Sequence, residues 1–117
     1  MRNLWVTHYQ IMSLDLTMMA LSDPTRRKLI RRLASEPLRA ADLARGFSIS
    51  RPAICKHARL LVRAGLIRAR KSGRERIYEL DPSGAKTVKE MIEHFEAMSG
   101  LWDYALEAFK HYVEAKK

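Results

Sequence analysis

The densest chemistry in the chain lies between Ser50 and Arg59, where Ser50, Arg51, Pro52, Ala53, Cys55, Lys56, His57 and Arg59 bring cations together with small and hydrogen-bonding groups. At 100° per residue, Pro52, Cys55, Lys56, Arg59 and Arg63 fall on one side of a helix, and Ile54, His57, Ala58 and Leu61 on the other. One face can pack while the opposite face offers positive charge to a polyanion. The major groove of duplex DNA admits one such helix. Arg70, Lys71, Arg74 and Arg76 crowd a second site, suited to a phosphate backbone or an adjacent minor groove. Thr25 and Arg26, at another helix start, and Ser48, just before Ser50, are candidate phosphate contacts, because helix N-termini attract anions. His57 has no Ser/His/Asp or paired-carboxylate company, so binding rather than catalysis is expected. Alternatives are a sensor, in which oxidation of Cys55 beside Lys56 and Arg59 or a small molecule in a dimer-interface pocket weakens binding, and a protein-interaction module whose last helix recruits a different partner.

The charge distribution supports a polyanionic partner. Arg26 to Arg76 carries 16 Lys or Arg against three acids, Glu36, Asp42 and Glu75, while the remainder carries six against ten, within a net charge of +9. No basic stretch forms a single amphipathic membrane-surface helix, so nucleic acid is preferred to an anionic membrane. The length fits one domain, and 47% hydrophobic residues argue against a disordered chain. No apolar run approaches the roughly 18 residues needed to cross a bilayer. The first residues lack the apolar core and cleavage site of a secretory signal. Cys55 is the only cysteine, which excludes an internal disulfide and a Cys-rich zinc site. The expected location is the cytoplasm.

The elements that must hold these residues are legible from periodicity and punctuation. Leu4, Ile11, Leu14, Met18 and Leu21 recur at helical spacing and predict a first helix ending near Leu21, with residues 1–11 either its opening turns or an extension. Asp23 and Pro24 start a second helix that stops before Pro37. Leu38, Leu43 and Phe47 predict a short third helix with Gly46 near its end. Ser50 caps a fourth, ended by Gly65. Residues 66–70 and 76–80 alternate as strands around a hairpin loop, residues 71–75. Beyond Pro82 a long last helix carries Val88, Met91, Phe95, Met98, Trp102, Ala105, Phe109 and Tyr112 in alternating steps of three and four. This seam, interrupted only by the helix-weakening Gly100, is too long to be covered by so small a domain. It predicts a homodimer, with Leu14, Met18, Met91, Phe95, Met98, Trp102, Ala105, Phe109 and Tyr112 at the interface. The fold expected is mainly α with a small β-hairpin.

Asp23-Pro24-Thr25-Arg26, then Ser50-Arg51-Pro52-Ala53 with Lys56-His57, then Ala64-Gly65-Leu66, together resemble the ArsR-type winged helix-turn-helix repressors over about residues 12–82. The resemblance implies a DNA-binding domain over 12–82, a dimerisation helix over 83–117, and a homodimer reading a palindromic operator on double-stranded DNA. Cys55 stands where this pattern usually has Ser, and Ala58 where it has Leu. Many relatives sense metals, but Leu38 to Phe47 holds no cysteine pair for the thiolate site of that family. On the last helix, His111, Glu114 and Asp103 lack the usual partner histidine, because residue 105 is Ala. The non-metal-sensing branch is expected, with no metal and no cofactor, and the residues name no effector.

Overall fold

The computed structural model describes residues 14–116. Helix α1, residues 14–22, packs through Thr17 and Ala20, both buried. Helix α2, Pro24–Ser35, starts where Asp23 adopts an extended conformation and accepts hydrogen bonds from the Thr25 and Arg26 N–H groups at 2.8 and 3.2 Å. Burial pushes the Asp23 carboxyl up, but these N–H bonds and the Arg26 charge outweigh it and hold the carboxyl below the usual range. Glu36, extended ahead of Pro37, ends the helix.

Residues 38–47 depart from the expected third helix. Leu38–Arg39 form strand β1, Ala40–Asp42 a single 3-10 turn, and tight turns lead to Gly46 at φ +85°. Leu38 pairs with Tyr78, and Arg39 makes no side-chain cap, so the strand takes the residues that would have begun a helix. The carbonyls left over are satisfied from α2. Arg32 donates to the Leu43 and Asp42 carbonyls at 2.6 and 3.1 Å, and Lys28 to Gly46 at 2.7 Å. Both cations also lie over the Phe47 ring.

Helix α3, Arg51–Arg63, is capped by Ser50 and buries Ile54, Ala58 and Leu61 completely. Gly65 at φ +76° turns the chain into β2, Ile67–Ser72, which pairs with β3, Glu75–Leu80. Their turn is only Gly73-Arg74, with Gly73 at φ +64°, tighter than the five-residue loop expected. With β1 they form a three-stranded antiparallel sheet, ordered β1-β3-β2, rather than an isolated hairpin. Leu29, Leu33, Leu43, Ile54, Leu61, Ile67 and Tyr78 form the core between helices and sheet.

The last helix is two. Helix α4, Ser83–Ala97, opens with Gly84 buried against the Gly65–Leu66 backbone, and its Val88 packs on the core. Helix α5, Ser99–Ala115, buries no residue. The break at Met98, φ −91° and ψ 0°, falls beside Ser99-Gly100, a pair that weakens a helix ladder. The radius of gyration is 18.6 Å, against about 13 Å for a compact chain of this length.

Replacing Asp23 with Ala should cost about 1 kcal/mol in urea unfolding, and Asp23→Asn much less. Because the folded carboxyl is more acidic than the unfolded one, its contribution is full above about pH 4 and fades as pH falls through the depressed value. The stability gap between wild type and Asp23→Ala should therefore close in acid.

Candidate nucleic-acid interface

Burial of Ile54, Ala58 and Leu61 fixes how α3 is rotated about its axis. Arg51, Pro52, Lys56, Arg59 and Arg63 are thereby left exposed, with Ala53 and Cys55 half-buried beside them. The Ser50 hydroxyl accepts a 3.3 Å hydrogen bond from the Ala53 N–H, and Ser48 is exposed ahead of it. The β2–β3 hairpin lies alongside. One cleft is lined by Arg39, Ala40, Ala41, Arg51, Arg74, Glu75 and Arg76, and a second by Arg59, Val62, Arg63, Ala69, Arg76 and Tyr78. Arg76 borders both, so the cations of the helix and the hairpin make one continuous band.

The basic residues divide into two groups. Those of α2 and the sheet edge are largely engaged within the chain. Arg27, Lys28 and Arg32 donate to backbone carbonyls. Arg39 binds Asp42 and Glu75, Arg45 binds Asp42, and Arg68 and Arg70 share Glu79. Among the described residues, Arg51, Lys56, Arg59, Arg63, Lys71, Arg74 and Arg76 have no such ion pair. Arg31 on α2, Lys86 and Lys89 on α4 and Lys110 on α5 also have none; what sets the α3 and hairpin cations apart is that Arg51, Arg59, Arg63, Arg74 and Arg76 gather along the two adjoining clefts. Glu75 would oppose an anion in the first cleft, and the Arg39 guanidinium, 3.0 Å away, offsets it.

Four expected contacts are placed differently. Arg26 is 8% exposed, and its guanidinium is spent on the Ala20 and Met19 carbonyls and on His57 Nδ1. It is not presented to a phosphate. His57, half-buried, is turned to that partner and away from the exposed face. The Thr25 N–H is occupied by the Asp23 carboxylate, whose negative charge also disfavours an anion at that helix start. Arg70 lies in the hairpin but is tied to Glu79 at 2.9 Å. One cation absent from the expected set belongs to the band, Arg63, already legible on the polar side of α3; Arg39, brought to the first cleft by the fold of β1, is held there by Asp42 and Glu75.

A separate groove is apolar. Leu21, Ile30, Leu66, Leu80, Val88 and Ile92 line a groove of about 810 Å³ edged by Asp81, Glu93 and Glu96. Of the seam residues, Leu14, Met18, Met91, Met98 and Ala105 are half-buried, while Phe95, Trp102, Phe109 and Tyr112 are exposed in the single chain. Among the described residues, no three His, Cys, Asp or Glu side chains are grouped to hold a metal ion. No described helix is long and apolar enough to cross a membrane.

Comparison with known proteins agrees with this arrangement. Residues 21–70 match a helix-turn-helix domain family. The chain is 35% identical to the HTH-type transcriptional regulator Rv2034 of Mycobacterium tuberculosis, over 87% of this chain and 90% of that one. It is 39% identical to the transcriptional repressor SdpR of Bacillus subtilis, over 53% of this chain and 69% of that one. Among solved structures, an ArsR family transcriptional regulator superposes with a TM-score of 0.65 at 30% identity, covering 78% of this chain and 97% of the other. With the order of helices, the three-stranded sheet and the basic α3 already established, these likenesses show that the chain belongs to the ArsR family of winged helix-turn-helix transcriptional regulators, a family that binds DNA and performs no catalysis.

Proposed function

We propose that the chain is a homodimeric repressor that occupies a palindromic operator on double-stranded DNA in the cytoplasm. The observation that carries this reading is the band of unengaged cations on α3 and the hairpin. Arg51, Pro52, Ala53, Cys55, Lys56 and Arg59 meet base edges or the adjacent backbone in the major groove. Lys71, Arg74 and Arg76 hold the neighbouring backbone, and Ser48 and Ser50 bind phosphate. Residues 12–82 serve as the reading domain, with the first turns of α4 packed onto it, and the remainder of 83–117 joins the subunits. Exposure of Trp102, Phe109 and Tyr112 on a helix with no buried residue supports that second role, since such a face needs a cover. Repression follows from occupancy: a protein seated on a promoter blocks the polymerase.

Selection of bound fragments from random DNA tests the reading, and a palindrome is expected. On the selected site, Lys56→Ala and Arg59→Ala should each cost about 1–3 kcal/mol and relax sequence preference. A site without twofold symmetry, or full binding by both variants, would overturn the proposal.

The hairpin acts through charge, which salt titration isolates. Arg74→Ala should lower the slope of log K against log salt by about 0.9, with little change in preference. Arg70→Ala should change it less, because Glu79 already engages that guanidinium.

Sizing of the purified chain should give a dimer, and the double variant Trp102→Glu, Phe109→Glu a monomer. A monomeric wild type at micromolar concentration would refute the assigned role of α5.

A further inference from the structure

We infer that Arg26 is a positioning residue that sets the reading helix against the end of α1, acting through His57. This rests on the reading that α3 enters DNA.

The last turn of α1 leaves carbonyls without helical partners, as every helix end does. Arg26 reaches two of them, donating from Nε to the Ala20 carbonyl at 2.7 Å and from Nη2, at 3.0 Å, to the Met19 carbonyl, which also accepts from the Ser22 hydroxyl. Its remaining arm, Nη1, reaches His57 Nδ1 on α3 at 3.1 Å. One rigid, planar group therefore spans two elements far apart in sequence. Arginine has donors only, so the His57 Nδ1 must accept, which places the ring proton on Nε2. At 8% exposure little water competes for these bonds. Arg26 is thus buried for a reason other than packing, and its partner on α3 lies next to Lys56, two residues before Arg59.

The consequence is geometric. Ile54, Ala58 and Leu61 set which face of α3 turns inward, but apolar contacts are non-directional and leave the helix free to slide slightly along its axis. The fork of Arg26 adds a directional constraint between α3 and α1. Loss of the fork should therefore impair recognition of the correct site, which needs exact placement of both α3 copies, more than binding to arbitrary DNA, which needs only charge.

The test uses the full chain with its selected duplex and a random duplex of equal length. Asparagine can present Oδ1 where histidine presents Nδ1, so His57→Asn should bind the selected duplex within about threefold of wild type, whereas His57→Leu should lose about tenfold or more. Arg26→Lys keeps the charge but not the fork, and should resemble His57→Leu. None of these changes should alter the affinity for random DNA or the salt slope. Nitrogen NMR of the free protein should find the His57 ring protonated at Nε2, independently of DNA. Where Arg26→Lys melts before the assay temperature, the His57 pair decides alone. Equal binding by His57→Leu and wild type would overturn the inference, as would equal losses in His57→Asn and His57→Leu. A parallel fall in random-DNA affinity and salt slope would make Arg26 a phosphate contact instead. A wild type that fails to prefer its selected duplex would refute the DNA reading itself, a result separate from any of these.

Discussion

The interaction on which the rest depends is the burial of one face of α3. Ile54, Ala58 and Leu61 are fully enclosed by α2 and the sheet, and burying a large aliphatic side chain is worth about 1.5–3 kcal/mol. That energy fixes the rotation of the helix, and with it the direction of every polar side chain on α3. Lys56, Arg59 and Arg63 project outward because their neighbours one or two residues away must be inside.

Charge becomes useful only after the fold has divided it. A stretch with so many cations could have been a uniformly basic surface of low selectivity. Instead, Arg26, Lys28 and Arg32 are consumed in holding α1, α2 and the turns of residues 40–46 together, each satisfying carbonyls that short elements leave open. Acids do the same near the sheet, where Glu79 engages Arg68 and Arg70, and Asp42 engages Arg39 and Arg45. Of the cations that remain, those on α3 and the hairpin are gathered along two adjoining clefts, while Arg31, Lys86, Lys89 and Lys110 lie outside those clefts. Net charge overstates the candidate interface, which is picked out by cations that are both unengaged and gathered.

Elements governed by local chemistry could be read from the chain. Asp23-Pro24 and Ser50 mark helix starts by capping, and Gly65 and Gly73 mark turns by positive φ, so α2, α3 and the hairpin stand where expected. Elements governed by distant partners could not. Leu38 joins a strand because Tyr78 is across from it, and nothing within residues 38–47 announces that pairing. The polar face of α3 was legible from spacing, but the fate of Arg26 was not, since its burial depends on where α1 ends and on a histidine in another helix. Gly100 signalled a weak point in the last helix, and the break came just before it, at Met98.

Under the proposed reading, the two apolar regions join a pair of copies and the basic band of each meets the DNA. The most direct measurement compares affinity for the selected palindrome with affinity for one half-site in a duplex of the same length. A dimer that places both α3 helices together should lose at least about tenfold on the half-site, and as much when about 5 bp, half a helical turn, separate the two halves. Equal affinity for all three duplexes would contradict cooperative reading by a homodimer.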